Sequence, residues 1–170
     1  MKRTAAVLAA LAALAAGCGS HHGTLRPDSL SSVVLRPGDL PGWTRFQDDP
    51  GTAADAGALA SRDRTGDWIA RFRRSASIVV SRVDIYKTSS AAHAAFENVS
   101  SRSSANGVQR LTVPPLGDER AGYAVRGPSP VSVVFWRRAN AIGSLIVQGR
   151  GPAAAPLARR EDDRIEQALG

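Results

Sequence analysis

Ser77 to Tyr86, SIVVSRVDIY, constrains this chain more than any other stretch. β-Branched side chains fit a pleated surface, so the segment reads as a strand. Val79, Val83 and Ile85 fall on one side. Ile78, Val80, Arg82, Asp84 and Tyr86 fall on the other, which turns polar toward its end. Thr88-Ser89-Ser90 follows at once and offers capping oxygens to a helix over residues 90–102. Ala92, Ala95, Phe96 and Val99 recur at i, i+3, i+4 and i+7 and give that helix a narrow apolar stripe. A strand feeding directly into such a helix must bury the stripe against a sheet.

The remaining pattern supplies the sheet. Residues 68–74 alternate, with Trp68, Ala70 and Phe72 on one side and Ile69, Arg71 and Arg73 on the other. Strands are expected at 121–126, 131–138 and 142–148, with Ala139-Asn140 as a tight turn. Residues 29–35 suggest a short helix, stopped by Pro37-Gly38, and Asp39 to Trp43 a turn. Residues 50–66 read as a loop and 113–118 as an extended connector. A closing helix over 156–169 would bury Leu157, Ile165, Ala168 and Leu169. The expected fold class is α+β: an antiparallel β-sheet packed by two main helices, forming a single domain over residues 30–170.

The N-terminus carries a separate message. Met1-Lys2-Arg3 is a short basic start, Ala5 to Ala16 an uncharged apolar run, and Ala15-Ala16-Gly17 a set of small residues before Cys18. That is the layout of a secretory signal peptide over residues 1–17. The run is shorter than the roughly 20 residues a spanning helix needs. Cys18 is the sole cysteine, so an exported chain has no internal partner for its thiol. Leu14-Ala15-Ala16-Gly17-Cys18 resembles the bacterial lipobox, with Ala15 where leucine is usual. The resemblance implies cleavage before Cys18 and a diacylglyceryl thioether on its sulfur. Two or three acyl chains would hold the protein lastingly on the extracytoplasmic face of the cell membrane. Residues 18–29, rich in Gly, Ser, His and Pro, then read as a flexible tether.

Charge and motifs narrow the function. The chain carries +7; without Lys2 and Arg3 the balance is 20 basic to 15 acidic residues, and every remaining base except Lys87 is arginine. Export argues against nucleic acid. Anionic lipid head groups, an acidic envelope polymer or a membrane protein are the partners such a surface suits. His21-His22 lacks a third ligand nearby, so no metal site is assigned. His93 is expected on a helix rim. The chain shows no G-x-S-x-G elbow, P-loop or dinucleotide fingerprint, so no catalytic residue and no cofactor is assigned. Asp162 and Asp163, beside Arg159, Arg160 and Arg164, read as paired charges on a helix exterior. Arg71, Arg73, Arg82 and Arg137 would make a basic patch if pairing placed them on one face, with Trp136 opposite Arg137.

The order DLPGW, SRVDIYKTSSAAHAAFENV, PPLGDERAGYAV, VVFWRRANAIGSLIVQG and a final helix resembles small actinobacterial envelope lipoproteins and the extracellular sensor-like domains of some membrane kinases. Ala139 stands where those proteins have glycine in an Arg-Gly-Asn turn. The resemblance implies a sheet packed by helices outside the cell. The function expected is a non-enzymatic, lipid-anchored, sensor-like or ligand-binding domain with its ligand unassigned. The alternatives are an interaction module that holds a membrane protein and, third, a hydrolase of unrecognised type.

Overall fold

The computed structural model describes residues 23–52, 57–102 and 108–170. The expectations for the signal peptide, Cys18, His21-His22 and a helix stop at Asn106-Gly107 lie outside these residues. The sheet has seven strands: β1 (Thr44–Asp49), β2 (Arg64–Arg74), β3 (Ser77–Tyr86), β4 (Val108–Leu111), β5 (Glu119–Val125), β6 (Val131–Arg138) and β7 (Ala141–Gln148). Their order across the sheet is β1-β2-β3-β7-β6-β5-β4, and every paired neighbour is antiparallel. The helices are α1 (Leu30–Val33), α2 (Ser89–Arg102) and α3 (Ala154–Leu169). The expected α+β architecture is the one observed, with α1 as a third packing helix beside the two main ones.

Two meanders build the sheet. β1 to β3 form the first and β4 to β7 the second; α2 carries the chain from β3 to the far edge, so that β7 returns to pair with β3. One face holds the larger core. Phe72, Val79, Val83, Val134, Trp136 and Leu145 pack there against Val33, Leu157, Ala158 and Ile165 of α1 and α3. On the other face Tyr86, Ala121, Tyr123 and Ile142 meet Ala92, Ala95, Phe96 and Val99 of α2, with Leu59 closing the side. Phe96 is thus core, as its spacing predicts, while Ala168 is exposed rather than buried. The Trp136 indole lies so close over β7 that a Cβ on Gly143 would sit 2.1 Å from its ring, and only glycine fits. Ala139 takes φ +52° in the β6–β7 turn, a left-handed conformation that costs alanine roughly 1–2 kcal/mol.

Three expectations move. The domain begins before residue 30: Leu25 is buried, its N–H donates to Asn140 Oδ1 at 2.8 Å, and Asn140 Nδ2 donates back to the Leu25 carbonyl. Within the expected tether, then, Leu25 is docked on the domain, while Thr24, Arg26, Pro27 and Asp28 remain exposed. β2 starts at Arg64, inside the expected loop over 50–66, since Gly66 and Asp67 pair with Ile85 and Asp84 despite their poor strand propensity. β1 and β4 were not legible. Both are edge strands whose polar residues face solvent, so neither shows apolar alternation.

Candidate functional site

The strands give the molecule two ends. At the entry end lie Leu25, the Ala139-Asn140 turn, the end of β3 at Tyr86 and the start of β5 at Glu119. Gly23 lies against the Leu169 carbonyl, so the chain's first described residue and the end of α3 meet there. At the far end lie the β2–β3 turn, the β5–β6 connection over 126–130 and the exit of β7 at Gly149-Arg150. β3 alone separates the ends by roughly 30 Å at about 3.3 Å per residue.

Charge at the entry end is paired. Arg138 forks onto Asp162 at 2.7 and 2.8 Å and reaches Glu166 at 3.1 Å. Asp162 also accepts the Gly117 N–H and is fully buried, so its expected exterior position is corrected: Arg138, at the end of the interior strand β6, draws it under the sheet. Arg137 binds Asp118 and Glu119, while His93, exposed on the rim as expected, holds Glu119 through Nδ1 at 2.8 Å. Burial pushes the Glu119 carboxyl up, but the bonds from Arg137 and His93 outweigh it and hold the group below the usual glutamate range. His93, Glu97 and Glu119 bring three ligand-type atoms within 4.8 Å of one another. Arg137 already neutralises Glu119, and two of the three side chains are exposed, which makes a poor cation cradle.

The register does place Arg71, Arg73, Arg82 and Arg137 on one face. They form no common patch. Arg82 is buried between Asp67 and Asp84, with Arg64 completing the cluster; Arg137 is taken by its acids, and Arg71 donates to Gln47. Arg73 alone of the four is exposed, stacked 5.8 Å over Phe46. Trp136 points to the opposite, fully buried side. A buried Glu161 sits in the larger core, where Ser81 Oγ donates to its Oε2 while accepting the Leu35 N–H at 2.9 Å. Burial pushes that carboxyl well above the ordinary glutamate value of 4.5. It is closed in by α1 and α3 and does not open onto a cleft.

The far end is different. Arg74, Ser75, Ser77, Pro128, Ser129 and Arg150 line a shallow hollow of about 420 Å³. Ser75 takes φ +53° in the turn, Gly149 φ +79°, and Ser77 Oγ donates to the Arg150 carbonyl at 3.0 Å, which fixes the two loops side by side. Arg74 also borders a second hollow of about 310 Å³, with Asp39, Pro41, Trp43, Gly151 and Pro152; Asp39 is taken by Arg164 at 2.8 Å, and the Arg74 guanidinium stacks 5.0 Å over the Trp43 ring. Residues 73–77, 126–130 and 149–153 contain Arg73, Arg74, Arg126 and Arg150 and no acid. None of these four has a carboxylate partner among the described residues. Sequence reasoning missed Arg74 and Arg150. The available signal was three turns, far apart in the chain, each with arginine and none with a countercharge.

No protein-family model matches the chain, and no curated sequence matches it. Among solved structures it is similar to the extracellular domain of PknH from Mycobacterium tuberculosis, at a TM-score of 0.70 and 10% identity, covering 86% of this chain and 99% of that one. At that identity the likeness is one of fold. Among the described residues no helix is long and apolar enough to cross a membrane.

Proposed function

We propose that this protein is a non-enzymatic, lipid-anchored envelope protein whose domain binds an anionic ligand at its far end, in the manner of a sensor. The observation that carries this reading is the hollow between Arg74 and Arg150. Two guanidinium forks there have no carboxylate partner among the described residues, and the Ser75 and Ser129 hydroxyls lie beside them. Such forks bind carboxylate or phosphate through paired, charge-assisted hydrogen bonds. The fold shared with a kinase's extracellular domain and the lipobox-like segment before Cys18 support an extracytoplasmic setting.

The binding claim is tested by thermal unfolding at low salt with citrate, a small multivalent anion. Citrate should raise the melting temperature of the wild type and leave the Arg74→Glu/Arg150→Glu variant unmoved; an equal rise in both would place the anion elsewhere. Anchoring is tested separately by Cys18→Ser, which should move the protein from the detergent phase to the aqueous phase or leave the leader uncleaved. Unchanged partitioning and processing would remove the anchor from the proposal.

A second reading, a module that holds a membrane protein, draws on Ile78, Val80, Val133 and Ile146. These are only partly covered on the face beside α2, and Phe46 and Val125 are 48% and 45% exposed nearby. Failure of citrate in the wild type would favour it.

A further inference from the structure

We infer that the ligand of the far end is an acidic glycan of the cell envelope rather than the head groups of the membrane that carries the protein. The inference rests on the reading above and adds direction to it. Cys18 and Gly23 are five residue steps apart, a reach of at most about 18 Å even fully extended. Gly23 and Leu25 dock at the entry end, beside Leu169 and Asn140. The acyl chains therefore hold the entry end toward the bilayer. Arg73, Arg74, Arg126 and Arg150 cap the opposite end, roughly 30 Å away along β3. A domain standing on its anchor presents these arginines outward, to whatever lies beyond the head groups. They meet the parent bilayer only if the domain lies down.

The shape of the far end fits a polymer. Its two hollows are open and adjoin at Arg74, so a chain can run across both without threading a closed cavity. The first offers arginine forks and the hydroxyls of Ser75 and Ser129, which suit a carboxylate-bearing sugar and its ring hydroxyls. The second offers Pro41 and Pro152 beside the largely buried Trp43, an apolar patch for the C–H face of a pyranose, and its one acid, Asp39, is already held by Arg164 and Arg160. Several guanidinium groups spaced along one surface also favour repeated anions over a single one.

The test uses the whole lipoprotein, inserted through its own acyl chains into phosphatidylcholine vesicles. Fluorescent polygalacturonate and neutral dextran are the probes, read by co-flotation. Polygalacturonate should float with the wild-type vesicles and dextran should not. Arg74→Glu/Arg150→Glu should weaken that binding at least about tenfold, about 1.4 kcal/mol, and raising the salt concentration should weaken the wild type. Equal binding by wild type and variant would overturn the inference. So would absence of polygalacturonate binding while the Cys18→Ser chain is captured by phosphatidylglycerol vesicles in an Arg74- and Arg150-dependent way, which would assign the arginines to membrane lipid. If citrate still stabilises the wild type while polygalacturonate fails to float, the anion site stands and the glycan falls. If both fail, the binding reading itself falls.

Discussion

The two ends of one sheet use arginine in opposite ways. At the entry end Arg137 and Arg138 are consumed by Asp118, Glu119, Asp162 and Glu166, and the ion pairs bolt β5, β6 and α3 together. At the far end Arg74 and Arg150 touch an aromatic ring or line an open hollow, and no acid shares their loops. The same side chain is structural where a carboxylate comes within reach under cover and available where none does. A buried pair cannot be broken without stranding a charge, whereas an exposed arginine costs the fold almost nothing. That difference separates the residues that hold this domain from those that can bind something else.

The largest effect should come from the entry end. Asp162→Ala leaves Arg138 without its principal acid in a part-buried site and should cost about 3–5 kcal/mol by urea unfolding. A loss under about 1 kcal/mol would show that the pair is no bolt and would blur the contrast between the ends.

A smaller, pH-dependent effect should come from Glu161. Its folded pKa is raised, so the folded state keeps a proton that the unfolded state loses above about 4.5. Stability from this group is present below that value and falls as the pH rises toward the folded pKa. Asp39 and Glu119 have the opposite sign. Burial raises Asp39, but Arg164 and the Arg36 N–H outweigh it, so both carboxyls sit low and lose stability on acidification. Glu161→Gln, which keeps a neutral hydrogen-bonding group, should therefore raise the melting temperature more at pH 8 than at pH 5. An equal change at both would mean Glu161 is ionised in the fold.

The smallest effect belongs to the far end. Arg150→Ala should change stability by no more than about 0.5 kcal/mol and Arg74→Ala, which also loses its stack on Trp43, by no more than about 1 kcal/mol in the same urea assay, while each removes the citrate response. A large loss of stability from either would make it a second bolt and erase the distinction.

Much of the fold was legible. Where one face of a strand is buried, alternation shows: residues 77–86 and 131–138 match their strands end to end, and α2 differs from its expected span by one residue. Edge strands β1 and β4 bury too little to leave such a trace. The candidate site was scarcely legible. Of the four arginines singled out by strand alternation, Arg82 and Arg137 are neutralised, because the strands that aligned them also aligned their acids, while Arg73 stands exposed over Phe46.

The sequence by itself determined the alternation of strand and helix, the stripe on α2 with Phe96 at its centre, and the small residues ahead of a solitary Cys18, because each is written within a few neighbouring positions. Only the tertiary structure decided which charges meet. Asp162 lies 24 residues from Arg138, and Arg150 lies 76 residues from Arg74. Whether such groups neutralise one another or share an open hollow depends on sheet order and hairpin direction, which no local pattern encodes.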